Sequence, residues 1–488
     1  MKRLAEILTG VEVEKLIGDS SKVVLDLKID SRGVGKEDLF FAVPGTQSDG
    51  HQYVGAAIEK GAGVIVCERM PENIVDHVTY VKVRNVVSAL SAMTLNFFNH
   101  PDRRLKLIGV TGTNGKTTIA TLLYALANKL GKKAGLISTI EYKVAEESFP
   151  STHTTPDIIS LARMFRIMVD RGCEYAFMEV SSHAIDQGRI EGLDFAGGIF
   201  TNITHDHLDY HKTFRNYIYA KKKFFDNLKK EAFALTNIDD PNGKVMLQNT
   251  AAGKLTYGLE KPADYKAKIL GISLNGLYLK LNDKEAHFKL TGKFNAYNIL
   301  AVFGAATELG WDEHEVLIEM SVLEPIKGRF EIIYNENLGV HAVVDFAHTP
   351  DALINLLSSI RKIKSKEQRI ISVIGAGGNR DKGKRPLMGS AGAGYSDLLI
   401  ITSDNPRFED PEEIIKDILD GVGEDDSGKV ISIIDRKEAI KTAILMANRG
   451  DVIVVAGKGH ENYQIIGDKT VHFSDREVIE EVWKNIIK

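Results

Sequence analysis

The segment from residue 105 to residue 131 constrains the fold more than any other part of the chain. The apolar run at 105–110 predicts a β-strand, and it leads directly into the sequence TGTNGKTT. Apolar residues at helical spacing follow, and Gly131 supplies a C-terminal stop for that helix. A strand, a glycine-rich loop and a helix in this order open a parallel α/β domain.

The loop of this segment has the residues that phosphate binding requires. When a glycine loop meets a helix N-terminus, backbone N–H groups and the positive end of the helix dipole point at one place. Lys116 is positioned to reach the outer phosphates of a nucleotide, and the Thr117 hydroxyl is available to Mg²⁺. The strict phosphate-loop pattern has glycine at position 110, where this chain has Val110. A glycine-rich turn without a ligand is therefore the alternative to a phosphate site, which is the favoured interpretation.

The length of the chain predicts about three domains, since 488 residues are shared among units of roughly 150. Short strands and helices alternate through the first hundred residues, and the polar stretch 99–104 is a plausible boundary. An antiparallel excursion is expected at 264–292, and a further α/β segment begins near residue 331. The predicted domains are residues 1–101, 102–330 and 331–488.

Composition excludes several classes of protein. A formal net charge of −4 does not provide the basic surface that nucleic-acid binding requires. No stretch approaches the roughly 20 apolar residues of a membrane span. The only cysteines, Cys67 and Cys173, cannot form a disulfide framework. The N-terminus is charged and has no apolar signal region, so a cytoplasmic protein is expected.

Polar residues follow two predicted strands of the central domain. Glu179 lies at the end of the strand predicted at 176–180, where ligand sites of α/β sheets form, and it could complete a magnesium site. The loop at 201–211 contains His205, His207 and His211, which predict a magnesium-linked role. Zinc ligation and a solvated loop are the alternatives.

Two further basic clusters stand out. A helix predicted at 217–225 carries three consecutive lysines, and Lys222 and Lys223 are expected to be solvated. In the third domain, Arg380 occupies the position where a dinucleotide-binding fingerprint requires glycine, which excludes a nicotinamide site. A positive rim is expected there, and a solvated face is as plausible as a functional role for three of its members: Lys382, Lys384 and Arg385.

The turn at 404–407, Asp-Asn-Pro-Arg, combines a carboxylate, an amide and a guanidinium, which together can recognise a zwitterion. Arg407 is suited to bind a carboxylate with two hydrogen bonds. The alternative is that Arg407 forms a salt bridge with Glu409 or Asp410 on the same loop.

These motifs together resemble the Mur ligase family, which makes bacterial cell-wall precursors by ATP-dependent amide bond formation. The resemblance rests on TGTNGKTT, EVSSH at 179–183, HDHLD at 205–209, GKFNAYN, KGRFE, DFAHTP, the N-terminal DSR, SDNPRFEDP and AGKGHENYQ. It implies an α/β fold of three domains: an N-terminal uridine-nucleotide domain, a central P-loop ATPase with a mainly parallel sheet, and a C-terminal Rossmann-like domain that admits an amino acid. The similarity is greatest to the branch that adds the third amino acid of the peptide.

The resemblance also implies roles for individual residues. The ATP-binding residues would be Gly112, Thr113, Asn114, Gly115, Lys116, Thr117, Thr118, Asn295, Arg329 and Asp345. The catalytic residues would be Lys116, His207, Lys221, Arg329 and His348. Mg²⁺ would be held by Thr117, Glu179, His207 and a carbamylated Lys221. The UDP-MurNAc-dipeptide would contact Ser31, Thr154, Thr155, Ser182 and Arg189. Diaminopimelate would contact Arg380, Asp404, Asn405, Arg407, Gly457 and Glu461.

The implied reaction proceeds through an acyl phosphate, which the amine of the incoming amino acid then attacks. The Asp-Asn-Pro-Arg turn is the family's type for meso-diaminopimelate, and L-lysine is the alternative substrate. A folylpolyglutamate-synthetase-like ligase is a further alternative, against which the DSR and DNPR motifs argue. A nucleotide-dependent switch and a zinc metallohydrolase are alternatives from other classes. The expected partners are small molecules, without nucleic acid or membrane, and a monomer is expected.

Overall fold

Three β-sheets, each built from one stretch of the chain, organise the computed structural model, which describes residues 1–45, 48–151, 153–204 and 206–486. The first is a five-stranded sheet in the order β2-β7-β6-β5-β4. The strands of this unit are β1 (Lys2–Arg3), β2 (Val13–Ile17), β3 (Val23–Val24), β4 (Leu27–Lys28), β5 (Leu39–Phe41), β6 (Val64–Cys67) and β7 (Thr79–Val83). Its helices are α1 (Leu4–Ile7), α2 (Val54–Glu59) and α3 (Val86–Phe97).

Two elements of this unit differ from the sequence prediction. The apolar pattern at 23–27 predicts one strand, but the structure has two short strands there, because β3 pairs with β1 whereas β4 pairs with β5. The pattern at 89–98 predicts a helix, which begins earlier, at Val86, because Asn85 Oδ1 caps it by accepting from Ser88 N at 3.0 Å.

The second sheet has eleven strands in the order β11-β10-β9-β12-β8-β13-β14-β15-β16-β17-β18. Its middle, from β9 to β16, is parallel, and both ends are antiparallel. Its strands are β8 (Lys106–Thr111), β9 (Ala134–Ile137), β10 (Glu141–Val144), β11 (Glu147–Pro150), β12 (Tyr175–Glu179), β13 (Phe195–Phe200), β14 (Phe233–Asn237), β15 (Gly253–Gly258), β16 (Tyr265–Ser273), β17 (Gly276–Leu281) and β18 (Lys284–Phe288). The helices are α4 (Lys116–Lys129), α5 (Ile158–Asp170), α6 (Ser182–Asp186), α7 (Leu208–His211), α8 (Phe214–Asp226), α9 (Gly243–Met246), α10 (Lys293–Glu308) and α11 (Glu313–Ser321).

The position of β8 in this sheet decides where a site can form. Its neighbours are β12 and β13, and all three strands are parallel. Their carboxyl ends therefore meet at one edge, directly beside the glycine loop. The antiparallel excursion predicted at 264–292 is present as β16, β17 and β18.

The third sheet has six strands in the order β19-β20-β24-β21-β22-β23, parallel except for β19. The strands of this unit are β19 (Glu331–Asn335), β20 (Val340–Asp345), β21 (Ile370–Ile374), β22 (Leu398–Ile401), β23 (Val430–Ser432), β24 (Val452–Ala456) and a separate hairpin of β25 (Tyr463–Ile466) and β26 (Lys469–His472). The helices are α12 (Pro350–Ile363), α13 (Lys384–Tyr395), α14 (Pro411–Leu419), α15 (Arg436–Met446) and α16 (Asp475–Ile486).

The predicted fold class, three α/β units with mainly parallel sheets, is confirmed. The proposed boundaries after residues 101 and 330 stay predictions, although the strands of the three large sheets fall within 13–83, 106–288 and 331–456. Across the described ranges, no helix is both long and apolar enough to cross a bilayer.

Candidate active site

The glycine loop connects β8 to α4 in a conformation that only glycine adopts readily. Gly112 has φ +149° and Gly115 has φ +90°. A Cβ atom on Gly112 would lie 1.8 Å from Thr201 Oγ1, so a side chain has no space there. The loop therefore depends on glycine both for its backbone angles and for its close packing.

The segment that follows β13 holds the loop in place. Asn202 Oδ1 accepts from Asn114 N at 3.0 Å, and Asn202 O accepts from Thr113 N at 2.8 Å. Thr201 Oγ1 donates to Asn114 O at 2.6 Å. Asn202 was not among the predicted site residues. Its only sequence signal is its place just after a strand next to β8.

Two lysines donate hydrogen bonds to backbone carbonyls of this loop. Lys116 Nζ donates to Thr113 O at 2.8 Å, so the side chain of Lys116 folds back towards the loop. Lys221, on α8, is 1% exposed, and its Nζ donates to Gly112 O at 2.9 Å and lies 4.6 Å from the centre of the Tyr217 ring. Burial, with the charge of Lys116 adding to it, holds the pKa of Lys221 well below its ordinary value. Among the described residues, no carboxylate lies within ion-pair distance of Lys221.

Glu179 lies at the end of β12, beside the loop, and is almost fully buried. Its Oε1 accepts from Thr139 N at 2.7 Å, and its backbone carbonyl accepts from Thr155 Oγ1 at 2.9 Å. Thr139 Oγ1 also donates to Thr154 Oγ1 at 3.0 Å. Glu179 is therefore linked to both predicted acceptor-binding threonines, to Thr155 through its backbone carbonyl and to Thr154 through Thr139.

The histidine loop reaches the same edge of the sheet. His207 has φ +53°, and its ring centroid lies 4.8 Å from that of His183. Burial lowers the pKa of His207 to about 4, and nearby positive groups act in the same direction, so the ring is neutral at pH 7. His211 Nε2 is 2.9 Å from Ser182 Oγ. His205 lies outside the described residues, and within those residues no three His, Cys, Asp or Glu side chains are grouped to hold a metal ion.

Asp206 is a charged neighbour that the sequence analysis did not assign to the site. Burial alone would raise its pKa, but interactions with His207, His348 and Lys116, together with a hydrogen bond from the His207 N–H, bring the pKa below its ordinary value. The concentration of histidines and aspartates in this loop is the signal that could have identified it.

The segments flanking β19 and β20 contribute the predicted nucleotide residues of the C-terminal unit. Arg329 Nη2 donates to Thr117 Oγ1 at 3.2 Å, and the guanidinium stacks over the Phe346 ring at 4.4 Å. Asp345 accepts from Phe330 N at 2.6 Å and from Ala347 N at 2.7 Å. Arg329 thus brings the C-terminal unit to the phosphate loop.

His348 and Asn295 complete this side of the site. His348 Nδ1 is 2.9 Å from Phe346 O, and burial lowers the pKa of the ring. Asn295 Oδ1 accepts from Asn298 Nδ2 at 2.8 Å, and a Cβ on Gly115 would lie 2.7 Å from Asn298 Oδ1. Asn295 therefore contacts Asn298, which in turn lies beside Gly115 of the loop. Thr118 is buried in the first turn of α4.

A cavity of about 1160 Å³ lies between the N-terminal and central units. Ser31 and Arg189 both line it, from opposite sides. Gln187 Oε1 accepts from Arg189 Nη2 at 2.6 Å and from Nε at 3.0 Å, and Thr155 O accepts from Nη1 at 2.9 Å. The cavity thus extends from the N-terminal unit towards Arg189 and, through it, towards Thr155, which donates to the backbone carbonyl of Glu179.

The turn at 404–407 forms a second cluster, at the carboxyl edge of the C-terminal sheet. Asn405 Nδ2 donates to Glu461 Oε2 at 3.0 Å, and a Cβ on Gly457 would lie 2.6 Å from Asp404 Oδ2. Arg407 Nη1 donates to Gly378 O at 2.9 Å. The loop that carries Arg380 is hydrogen-bonded to this turn, since Gly378 N donates to Asn405 O at 2.9 Å. All six predicted diaminopimelate residues are therefore brought to one place.

The acidic residues after Arg407 have other partners. Glu409 accepts from Arg385 Nη1 at 3.0 Å, and its Oε2 lies 3.3 Å from Lys382 Nζ. Asp410 caps α14 by accepting from Glu412 N at 2.9 Å. In the part of the chain that the structure describes, Arg407 forms no salt bridge with either acid.

Three of the basic residues for which a solvated face was considered are placed otherwise. Lys222 is buried and pairs with Asp226 at 2.6 Å, so the prediction of a solvated side chain was wrong because helical spacing puts an acid within its reach. Arg385 is fully buried, and Lys384 Nζ donates to His348 O at 2.8 Å. Lys223 is exposed, as predicted.

Family models match three parts of the chain. Residues 26–99 match "Mur ligase family, catalytic domain", residues 110–306 match "Mur ligase middle domain", and residues 328–459 match "Mur ligase, glutamate ligase domain".

Individual proteins show similarity along the whole chain. A protein of Phocaeicola vulgatus named UDP-N-acetylmuramoyl-L-alanyl-D-glutamate–2,6-diaminopimelate ligase is 52% identical over 483 residues, which cover 99% of this chain and 100% of the relative. A solved structure of a ligase with that name is 31% identical and covers 100% of this chain and 99% of its own, with a TM-score of 0.70. A Mycobacterium tuberculosis folylpolyglutamate synthase complexed with ADP and AMPPCP shares the fold, at 17% identity and a TM-score of 0.61, over 76% of this chain and 92% of its own.

Proposed function

Because the chain belongs to the Mur ligase family, we propose that it joins meso-2,6-diaminopimelate to UDP-N-acetylmuramoyl-L-alanyl-D-glutamate with the hydrolysis of ATP to ADP and phosphate. The product would be the UDP-MurNAc-tripeptide, a precursor of peptidoglycan. The enzyme is thus an ADP-forming ligase that makes an amide bond between a carboxylic acid and an amino acid.

One observation carries the proposal. Arg329, which belongs to the chain segment leading into the C-terminal sheet, reaches Thr117 of the phosphate loop, while the same sheet ends in the turn at 404–407. A site for a nucleotide phosphate and a site complementary to a zwitterion are therefore built into adjoining units. A ligase needs both, whereas a nucleotide-dependent switch needs only the first.

The first step would transfer the γ-phosphoryl group of ATP to the acceptor. An oxygen of the glutamyl carboxylate attacks the γ-phosphorus, and the bond to ADP breaks. Phosphoryl transfer depends on positioning and on neutralised charge more than on covalent catalysis. Lys116 and Arg329 supply positive charge for the phosphate oxygens, and His348 lies on the same side. Thr155 donates to the backbone carbonyl of Glu179, and Thr139 joins the Glu179 carboxylate to Thr154, which supports this edge of the sheet as the place where the acceptor carboxylate arrives.

The residues present fit Mg²⁺, which prefers oxygen ligands. Thr117 and Glu179 provide a hydroxyl and a carboxylate beside the loop, and neutral His207 has a free electron pair to offer. When bound, Mg²⁺ would neutralise charge on the phosphate oxygens.

Lys221 fits the proposed carbamate. Burial lowers the pKa of this amine, so it loses its proton more readily than an exposed lysine, and a neutral amine can add CO₂ with loss of a proton. The resulting carbamate carries a negative charge beside Lys116, where an ammonium group would be repelled. It would also offer oxygen atoms to a metal ion.

The second step would form the amide bond. The amine of diaminopimelate attacks the acyl carbon, a tetrahedral intermediate forms, and phosphate leaves. We propose that Arg407, with Arg380 nearby, pairs with the carboxylate at the far end of the amino acid, and that Asp404 and Glu461 hold ammonium groups. L-lysine lacks that carboxylate, so it would leave the Arg407 charge without its partner.

The direct test incubates the protein with ATP, Mg²⁺, UDP-MurNAc-L-Ala-D-Glu and meso-diaminopimelate and detects the tripeptide by mass spectrometry. Acceptor labelled with ¹⁸O in the glutamyl carboxylate should pass one labelled oxygen to phosphate, since that oxygen leaves with the phosphate. Phosphate release that needs neither acceptor nor amino acid would contradict the proposal. Parallel reactions with L-lysine, with a folate and glutamate, and with Zn²⁺ in place of Mg²⁺ distinguish the alternatives.

We further propose that the enzyme works as a monomer in the cytoplasm. The proposed reaction assigns all substrate contacts to residues of one chain and invokes none from a second copy. ATP is a cytoplasmic substrate, and both Cys67 and Cys173 are buried thiols without a disulfide partner.

A further inference from the structure

Lys458 lies beneath the amino-acid cluster, with its side chain fully shielded from solvent. Its Nζ is 3.0 Å from Asn405 Oδ1 and 3.3 Å from Glu461 Oε2, and Asp404 Oδ1 is 3.7 Å away. All three partners are residues proposed above to contact diaminopimelate. A fully buried lysine is rare unless it is paired, so these contacts explain why it is tolerated.

The contacts of Lys458 close a ring of hydrogen bonds. Lys458 donates to both Asn405 and Glu461, and Asn405 Nδ2 donates to Glu461 Oε2 at 3.0 Å. Asn405 Oδ1 also accepts from Ile465 N at 3.0 Å, which attaches the ring to the hairpin of β25 and β26. Removing the ammonium group would release the amide and the carboxylate together.

The charges of the cluster form two halves. Asp404 and Glu461 bring two negative charges and Lys458 brings one positive charge, so this half has a net charge of −1. Arg407, with Arg380 nearby, makes the other half positive. The far end of diaminopimelate carries one ammonium and one carboxylate, which matches a site with a net negative half and a positive half. Without Lys458 the acidic half would have two unbalanced charges.

Building on the proposed function, we propose that Lys458 is a positioning residue that sets the charge of the amino-acid site, so that the site favours a side chain ending in a zwitterion over one ending in an ammonium group alone. Lys458 acts through its three partners, because its buried side chain leaves no surface for the substrate. The motif AGKGHENYQ contains both Lys458 and Glu461 but does not reveal this role, since Asp404 and Asn405 are distant in sequence.

The test measures kcat and KM for meso-diaminopimelate and for L-lysine in the wild type and in Lys458→Met, which has similar length but no charge. The KM for meso-diaminopimelate should rise at least about tenfold, and the ratio of kcat/KM values for the two amino acids should shift at least about tenfold towards lysine. The KM values for ATP and for the acceptor should not change. In the double variant Lys458→Met with Glu461→Gln, the acidic half again has one net charge, so part of the selectivity should return.

A purely structural role gives a different result. It would lower kcat or raise all three KM values together and leave the selectivity ratio as in the wild type, and that outcome overturns the proposal. Lys458→Gln, which keeps a donor for Asn405 but no charge, provides the measurement if Lys458→Met does not fold. A wild-type protein that forms no tripeptide from diaminopimelate would refute the proposed function, whereas an active wild type with unchanged selectivity in both variants refutes only this inference.

Discussion

Lys116 and Lys221 direct their ammonium groups at the same atom, the carbonyl oxygen of Gly112, and each Nζ lies 2.9 Å from it. Two cations this close to each other in a buried place are unfavourable, because burial and like charge both oppose protonation. Converting one of them to an anion removes the conflict and leaves a favourable pair. The geometry around Gly112 therefore gives a physical reason for modifying Lys221 rather than Lys116, whose charge the phosphates need.

We expect Lys221→Met to be nearly inactive and yet more stable than the unmodified protein. The folded state depresses the pKa of this lysine, so the unfolded chain binds the proton more readily and stability falls as pH decreases below about 10.4. Methionine removes that cost, and the unfolding temperature at pH 7 should rise. Short carboxylic acids should restore part of the activity of Lys221→Ala by taking the place of the carbamate.

The matched control is Lys222→Ala, since Lys222 is the next residue on α8 but pairs with Asp226. This variant should lose stability, and carboxylic acids should not change its activity. An active enzyme with an unmodified Lys221 in a crystal structure would contradict the prediction.

Gly112→Ala should abolish ATP-dependent turnover. The added methyl group would meet Thr201 Oγ1 at 1.8 Å, so the loop or the segment after β13 must move. Gly131→Ala is the control variant. Gly131 follows the C-terminal end of α4, the helix that the loop leads into, and it has φ +71°, but no atom lies within 4 Å of a Cβ added there. It should cost only the left-handed strain, about 1–2 kcal/mol in the free energy of unfolding, and leave kcat unchanged. Equal activity losses in the two variants would show that packing at Gly112 is not the cause.

Arg407→Ala should lower kcat/KM for meso-diaminopimelate more than for L-lysine. The expected wild-type preference comes from the cost of leaving a desolvated guanidinium without a carboxylate, about 1–3 kcal/mol, or roughly fivefold to 150-fold in kcat/KM. Competition assays with both amino acids measure the ratio directly. A wild-type preference for lysine, or an unchanged ratio in the variant, would refute this assignment while leaving the ligase activity intact.

His460 should make the folded protein less stable in mild acid. Burial lowers its pKa to about 3, with the charge of Arg329 acting in the same direction, and the unfolded chain has a pKa near 6.5. Between these values the unfolded state binds a proton that the folded state does not. Stability is therefore full above about pH 6.5 and falls as pH decreases, by up to about 1.4 kcal/mol per pH unit.

The comparison with His460→Gln isolates this contribution. Unfolding temperatures measured from pH 7.5 to pH 4.5 should fall less steeply in the variant than in the wild type. Parallel curves for the two proteins would show that His460 binds its proton equally in both states.

Local patterns predicted the parts of the site in which neighbours in sequence are neighbours in space. The glycine loop and the Asp-Asn-Pro-Arg turn each carry their proposed binding groups within a few consecutive residues, so backbone geometry alone brings these groups together. The role proposed for Lys221 came instead from the resemblance to the family.

The remaining residues depend on packing between distant segments. Asn202 holds the phosphate loop only because β13 lies beside β8, and Lys458 contacts Asn405 only because the end of β24 lies near the turn at 404–407. Lys222 is the exception, because its partner Asp226 lies one helical turn further along α8, so the spacing of the two residues could have predicted this pair.

The arrangement of the sheets has a consequence for biosynthesis. Because the large sheets draw their strands from successive stretches of the chain, each can close before the next has left the ribosome. At roughly 5–20 residues per second, the phosphate loop is complete tens of seconds before the turn that holds Arg407 is made. A nascent or prematurely ended chain would therefore present the phosphate loop without the turn that is proposed to bind the amino acid.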